Sequence, residues 1–162
     1  MKIFVDADSC PRQARELVLR SAKRTGRSAV FAANRPIPGI AGTEAVMELC
    51  PPGEGSADNR IVELARPGDM VITRDIPLAS RLVAGGILVM DDRGRVYTEN
   101  NIRERLSIRN FMVDLAESGL GAERIASYGK KELKAFADSF DRELNRLLKE
   151  ARPSPSTSPA GS

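Results

Sequence analysis

Short, unbroken apolar runs recur from Lys2 to Met90, and most of them stop at an aspartate or asparagine. Residues 2–6 (KIFVD), 28–33 (SAVFAA) before Asn34, 70–73 (MVIT) before Arg74-Asp75, and 87–90 (ILVM) before Asp91-Asp92 are of this kind. A run that is apolar throughout suits a strand covered on both faces, as central parallel strands are. Parallel neighbours need crossover connections, and segments of helical period stand between the runs. Residues 11–23 put Ala14, Leu17, Val18, Ser21 and Ala22 on one side, with Ser9 or Asp8 as cap and Pro11 near the first turn. Shorter helices are expected over 58–66 and 76–84, and a weaker strand over 45–50. A short edge strand is expected at Val96-Tyr97, beyond the turn at Asp92-Arg93-Gly94. The expected fold class is α/β, a three-layer α/β/α arrangement with a mainly parallel sheet. Such sheets bind ligands beyond the carboxyl ends of their strands.

Two helices are expected after the edge strand. Thr98 caps one with Ile102 and Leu106, and Ser107 caps another with Ile108, Phe111, Met112 and Leu115, stopped by Gly119. A last helix over 130–149 carries Leu133, Phe136, Phe140, Leu144 and Leu147 on one stripe, which must pack on the domain or on a partner chain. Residues 151–162 (ARPSPSTSPAGS) are Pro/Ser-rich and expected to be disordered. That leaves 1–150 as a single α/β domain, a size that buries roughly 70% of the surface of the unfolded chain. No apolar run approaches the ~20 residues needed to span a bilayer, and the N-terminus is too short for a signal peptide, so no membrane association and a cytoplasmic location are expected. Cys10 and Cys50 form no CxxC pair and are expected to be free thiols.

The 162 residues include no histidine. Ser-His-Asp and Cys-His machinery and His-rich zinc sites are thereby excluded. Any catalysis must use carboxylates, hydroxyls, thiols, amines or a metal ion. With 25 basic and 22 acidic residues, the net charge of +3 permits an anionic partner without requiring one.

The strand ends carry Asp6 and Asp8, Asn34, Asp75, and Asp91 with Asp92, and Asp58 opens a helix on the same expected side. Carboxylates packed together repel and raise one another's pKa. A divalent ion relieves that repulsion, and Mg²⁺ and Mn²⁺ prefer oxygen ligands. Such an ion can activate water and stabilise charge on a phosphoryl oxygen. Plainer roles compete. Asp58 and Asp75 each stand where a helix cap is worth ~1 kcal/mol, and Asp92 reads as a turn residue. Asp6 directly ends a buried strand and has no such alternative. Cys10 sits near a helix start, where a thiol's pKa can fall, yet there is no histidine to act as base. The first helix and its end carry Arg12, Arg15, Arg20, Lys23, Arg24 and Arg27 against one glutamate. A charge run is usually a solvated face, but this one starts beside the acidic edge, and Arg103, Arg105 and Arg109 are available to help hold a polyanion.

The segments VDADSCP (5–11), AAN (32–34), ADNRIVELA (57–65), GDMVITRDIPLA (68–79), RGRVYT (93–98) and IRERLSIRNFM (102–112) together resemble the YaiI/YqxD family of bacterial proteins. More remotely, that family looks like a branch of the PIN-like nuclease fold, whose members cut RNA with Mg²⁺ or Mn²⁺ held by strand-end acids. Carried onto this chain, the resemblance implies Asp6, Asp58 and Asp75 as metal ligands and Asp8 as the second acid of DADxCP. Asn34 and Asn59 would bind nearby waters. Asp92 stands where that family is expected to have a proline, so Asp91 and Asp92 are not carried over.

Three functions follow as expectations. The first is a Mg²⁺- or Mn²⁺-dependent phosphodiesterase acting on RNA, with Asp6, Asp8, Asp58 and Asp75 as its acids. Asn34, Asn59, Thr73, Arg74 and Arg12 would sit on the substrate. The second is a haloacid-dehalogenase-type phosphatase with Asp6 as nucleophile and Asp8 as general acid. Against it, Cys10 replaces the expected Thr or Val, and no lysine lies between Thr73 and Asp91. The third is a non-catalytic nucleic-acid-binding module. The sequence leaves the oligomeric state open.

Overall fold

In the computed structural model the apolar runs are strands of one sheet, and residues 1–40, 43–119 and 127–151 are described. The strands are β1 (Lys2–Asp6), β2 (Ser28–Ala33), β3 (Val46–Leu49), β4 (Met70–Ile72), β5 (Leu88–Met90) and β6 (Val96–Tyr97). Their order is β3-β2-β1-β4-β5-β6, and every pairing is parallel except β5 with β6. The helices are α1 (Arg12–Thr25), α2 (Ser56–Leu64), α3 (Ile76–Ala84), α4 (Glu99–Glu117) and α5 (Lys130–Glu150). The fold is α/β with three α/β/α layers, as the strand and helix alternation implies.

Strand side chains point alternately to the two faces. Ile3, Val5, Phe31, Met70, Ile72 and Met90 meet Ala14 and Val18 of α1 and Phe136, Phe140, Leu144 and Leu147 of α5. Phe4, Val30, Val71 and Val89 meet Ile61 of α2, Leu78 and Leu82 of α3, and Ile102 of α4. Both faces are thus covered, which explains why the strands carry no polar alternation. The described residues joining β2 to β3 form no helix. Ile37 and Ile40 from that connection are buried in the α1-side core instead. The stripe on α5 packs internally, with the Phe136 and Phe140 rings 5.4 Å apart. Burying such side chains is worth about 1.5–3 kcal/mol each.

Several local expectations change. Neither Ser9 nor Asp8 caps α1, whose N-cap is Pro11 without a side-chain bond. The helix ends at Gly26 (φ 66°), where Arg27 N–H reaches Ala22 O (3.0 Å) and Gly26 N–H reaches Lys23 O (3.3 Å), a Schellman closure that favours glycine. The two helices expected around Ser107 are one continuous α4, capped by Thr98 and Asn101. Its distal half exposes Ile108, Phe111 and Met112. Ser107 has a local capping option but also lies within an unbroken helical register, and propagation costs less than a new start. Residues 152–162, most of the expected tail, lie outside the described residues. No helix among the described residues is long and apolar enough to cross a membrane.

The β5–β6 turn is pressed against α5. Gly94 has φ 86°, and a Cβ placed there would collide with the Ala135 carbonyl. Gly94→Ala therefore combines a disfavoured backbone with a backbone clash, and we expect it to lower unfolding free energy by about 2 kcal/mol or more. Urea unfolding at neutral pH checks this; a loss below about 0.5 kcal/mol would show that α5 does not hold the turn this closely.

Candidate functional site

From β1 the chain moves outward through β2 to β3, then returns to place β4 on the other side of β1. The β1–β4 pair is therefore a topological switch point, where neighbouring loops diverge and leave a crevice beyond the carboxyl ends. Asp6 is the last residue of β1, and its partner strand β4 runs into Thr73, Arg74 and Asp75. A cleft of about 570 Å³ opens there, lined by Asp6, Asp8, Ser9, Asn34, Asp58, Arg74, Asp75 and Arg109, among others.

Asp6 is 7% exposed, and both hydrogen bonds to its carboxylate fall on Oδ2, from Thr73 Oγ1 (2.9 Å) and Ser9 Oγ (3.4 Å). Burial raises its pKa. The Thr73 bond works against that rise, and the charges of Asp75 and Asp8 add to it. Thr73 is a connector. Its own N–H extends the ladder to Met90 O (3.0 Å), and its Oγ1 accepts the Asp75 N–H (3.0 Å) while donating to Asp6.

Asp75 caps α3, with Oδ1 accepting the Leu78 N–H at 2.9 Å. Its plain role as a cap is real, and its carboxylate still lines the cleft. Asp58 differs. The N-cap of α2 is Gly55 (φ 78°), and Asp58 lies inside the first turn, where it caps nothing. Its pKa is raised to about 6, first by burial, then by the charges of Asp75 and Asp6 and by a hydrogen bond with Asp75. Asp8 is more exposed. Its Oδ2 accepts the Asn34 N–H (3.1 Å), and its Oδ1 lies 3.6 Å from Arg35 Nε.

The remaining sequence candidates divide. Asn34 lines the cleft, and its Oδ1 accepts from Ser56 Oγ at 2.7 Å. Arg74 lines it too, with Nε donating to Asp92 Oδ2. Thr73 is buried behind Asp6 (2% exposed) and acts on the carboxylate. Asn59 lies off the cleft and accepts from Arg81 Nη1 (2.9 Å). Arg12 also lies off it, paired with Glu16 one helical turn on (3.0 Å). Asp91, not Asp92, organises the turn, as its Oδ1 accepts the N–H groups of Arg93 and Arg95 at 2.9 Å each. Asp92 is 1% exposed. Cys10 is buried, and burial pushes its thiol up to about 12, which leaves it un-ionised and a poor nucleophile. Ser9 is a cleft residue that the sequence assigned to another role. It reads as a cap, and only the fold turns it back onto Asp6.

The donors that line the cleft are all oxygens, the set that suits a hard divalent cation. Among the described residues no three acidic or cysteine side chains converge as a finished cage. Mg²⁺ does not require one, because it is commonly held by one or two carboxylates and retained waters.

Residues 4–146 match the model of a family described as "Uncharacterized BCR, YaiI/YqxD family". The chain is 51% identical to a UPF0178 protein of Treponema pallidum (strain Nichols) over 94% of this chain and 86% of that protein. It is 49% identical to a UPF0178 protein of Syntrophobacter fumaroxidans over 92% of this chain and 97% of that one. It is 44% identical to a UPF0178 protein of Myxococcus xanthus, again over 92% and 97%. No solved structure matches the chain. The chain belongs to the YaiI/YqxD family.

Two expectations follow from the carboxylates. An acid whose folded pKa is raised stabilises the fold fully below its unfolded pKa, about 3.9 for aspartate. That contribution is lost as pH rises through the folded value, about 6 for Asp58. Without divalent ions, Asp58→Asn is therefore expected to melt higher than the parent at pH 8 and to flatten the fall between those pH values. Identical pH profiles of Tm would show that the fold does not raise the Asp58 pKa. Thr73→Val removes a hydrogen bond to a buried carboxylate. It should cost about 1–3 kcal/mol and raise the ionisation pH of Asp6, seen in carboxyl-carbon NMR titration, with Thr73→Ser restoring both.

Proposed function

We propose that this YaiI/YqxD-family protein is a Mg²⁺- or Mn²⁺-dependent phosphodiesterase that cuts RNA. One observation carries the reading. Aspartates from three distant segments line a single cleft at the switch point, and one of them, Asp58, has no capping role to account for it. Metal ligation by one or two carboxylates drawn from Asp6, Asp58 and Asp75, completed by retained waters, is part of the proposal, with Asp8 alongside. A bound divalent ion supplies charge stabilisation at a phosphoryl oxygen and makes water a better nucleophile.

The chain's own groups have separable tasks in this reading. Thr73 and Ser9 hold the Asp6 carboxylate through Oδ2. The α3 cap fixes Asp75 through Oδ1. Asp58, whose pKa burial and the neighbouring carboxylates raise to about 6 in the metal-free cleft, is the acid whose charged form a bound cation would favour most. Arg74 and Arg109 add positive charge to the cleft wall, where it favours a phosphate backbone. The layout of strand-end acids resembles that of PIN-like nucleases, and a relation to them is part of the same proposal. A phosphatase of the haloacid-dehalogenase type is supported less. Asp91 is turned onto its own backbone and Asp92 onto Arg74, and neither lines the cleft.

Purified protein with Mn²⁺ should cleave at least one of single-stranded, structured or transfer RNA, lose that activity in EDTA, and lose 10²-fold or more in Asp6→Asn. Binding that weakens with salt, without cleavage under either ion, would replace the enzyme with a nucleic-acid-binding module.

A further inference from the structure

Next to the acidic cleft lies a second, smaller depression of about 240 Å³, lined by Arg74, Arg93, Arg95 and Arg105 with Asp91 and Asp92. Arg74 and Ile76 line both, so the two are contiguous. Four arginines against two aspartates leave this depression with net positive charge, whereas four aspartates against Arg74 and Arg109 leave the cleft negative. The change of sign occurs across Arg74.

Both aspartates of the depression are already engaged. Asp91 is 5% exposed and accepts two backbone N–H groups on Oδ1, with Arg95 Nη1 3.8 Å from Oδ2. Asp92 is 1% exposed and takes Arg74 through Nε. Its carbonyl accepts the Tyr128 hydroxyl at 2.6 Å, which ties the turn to the start of α5. The buried acids therefore orient guanidinium groups. A guanidinium held through Nε keeps its two terminal nitrogens for a second acceptor. Arg105 arrives from α4 and is half-buried, with no carboxylate partner among the described residues. At about 240 Å³ the depression is below the usual ~300–1,000 Å³ of a whole small-molecule site. It suits one charged group of a larger ligand.

We infer that this depression is a phosphate subsite, which takes a phosphate of the strand whose neighbouring linkage lies in the acidic cleft. The inference rests on the proposed reading of that cleft and names its division of labour: carboxylates face the linkage that reacts, arginines hold the phosphate beside it. Arg105 is the residue most dedicated to this task, because Arg74 and Arg95 are also committed to Asp92 and Asp91.

The test uses the full chain with ¹⁵N-labelled arginine side chains, in EDTA, titrated with inorganic phosphate. Phosphate should shift the Nε signals of Arg74 and Arg105. Arg105→Ala should weaken phosphate binding about tenfold, Arg105→Lys should weaken it less, and Lys134→Ala on α5 should leave it unchanged. Mn²⁺ binding followed by electron paramagnetic resonance should be the same in Arg105→Ala as in the parent, which separates the subsite from the carboxylates. Oligonucleotides with and without a 5′-phosphate then distinguish the source. Tighter Arg105-dependent binding of the phosphorylated end assigns a terminal phosphate, and equal Arg105-dependent binding assigns an internal diester. Phosphate signals confined to α1, or affinity indifferent to Arg105, would overturn the subsite. Phosphate binding at Arg105 in a protein that cuts no RNA would leave the subsite standing and remove only the cleavage reading.

Discussion

The parallel pairing of β1 with β4, in the register Val5↔Ile72, is the constraint on which the rest of the site depends. It sets Asp6, the last residue of β1, beside Thr73, the first residue after β4, so that one hydroxyl can bond a carboxylate whose pKa burial raises. The same hydroxyl accepts the Asp75 N–H, which places the α3 cap residue at the mouth of the same crevice. A buried charge is tolerated only where hydrogen bonds answer it. Asp6 has two, both on Oδ2.

Around that contact the molecule separates charge by sign. Asp6, Asp8, Asp58 and Asp75 line one cleft, and the arginines of the β5–β6 turn and α4 line the depression beside it. Asp91 and Asp92 do not add to the acidic cleft, although they end a strand of the same sheet. The turn absorbs one through backbone N–H groups, and Arg74 takes the other. Burial first, and then the charges of Asp75 and Asp6, raise the pKa of Asp58, which has no capping bond to favour its charged form. Membership of the YaiI/YqxD family extends over residues 4–146, the stretch that builds both features.

The layered fold was legible because its cause is local. Apolar runs without alternation demand cover on both faces, and the stripe on α5 demands a core to enter. Helix boundaries were less legible where two local signals compete. Ser107 has a capping residue's chemistry, yet α4 runs through it. Asp58 reads as a cap because it precedes an apolar run, but the glycine at 55 adopts the left-handed turn and starts the helix earlier. Ser9 and Thr73 act on a carboxylate rather than on a helix end or a phosphate, a role that no spacing encodes.

Composition and pattern alone determined the α/β class, the exclusion of histidine chemistry, and the set of strand-end acids from which any site must be drawn. Those properties follow from residue type and short-range period. Only the tertiary structure decided which acids share a cleft, which arginines are spoken for, and that Arg12 and Asn59 stand apart from it. Such facts depend on strand order and on side-chain partners many residues away, and a one-dimensional pattern holds neither.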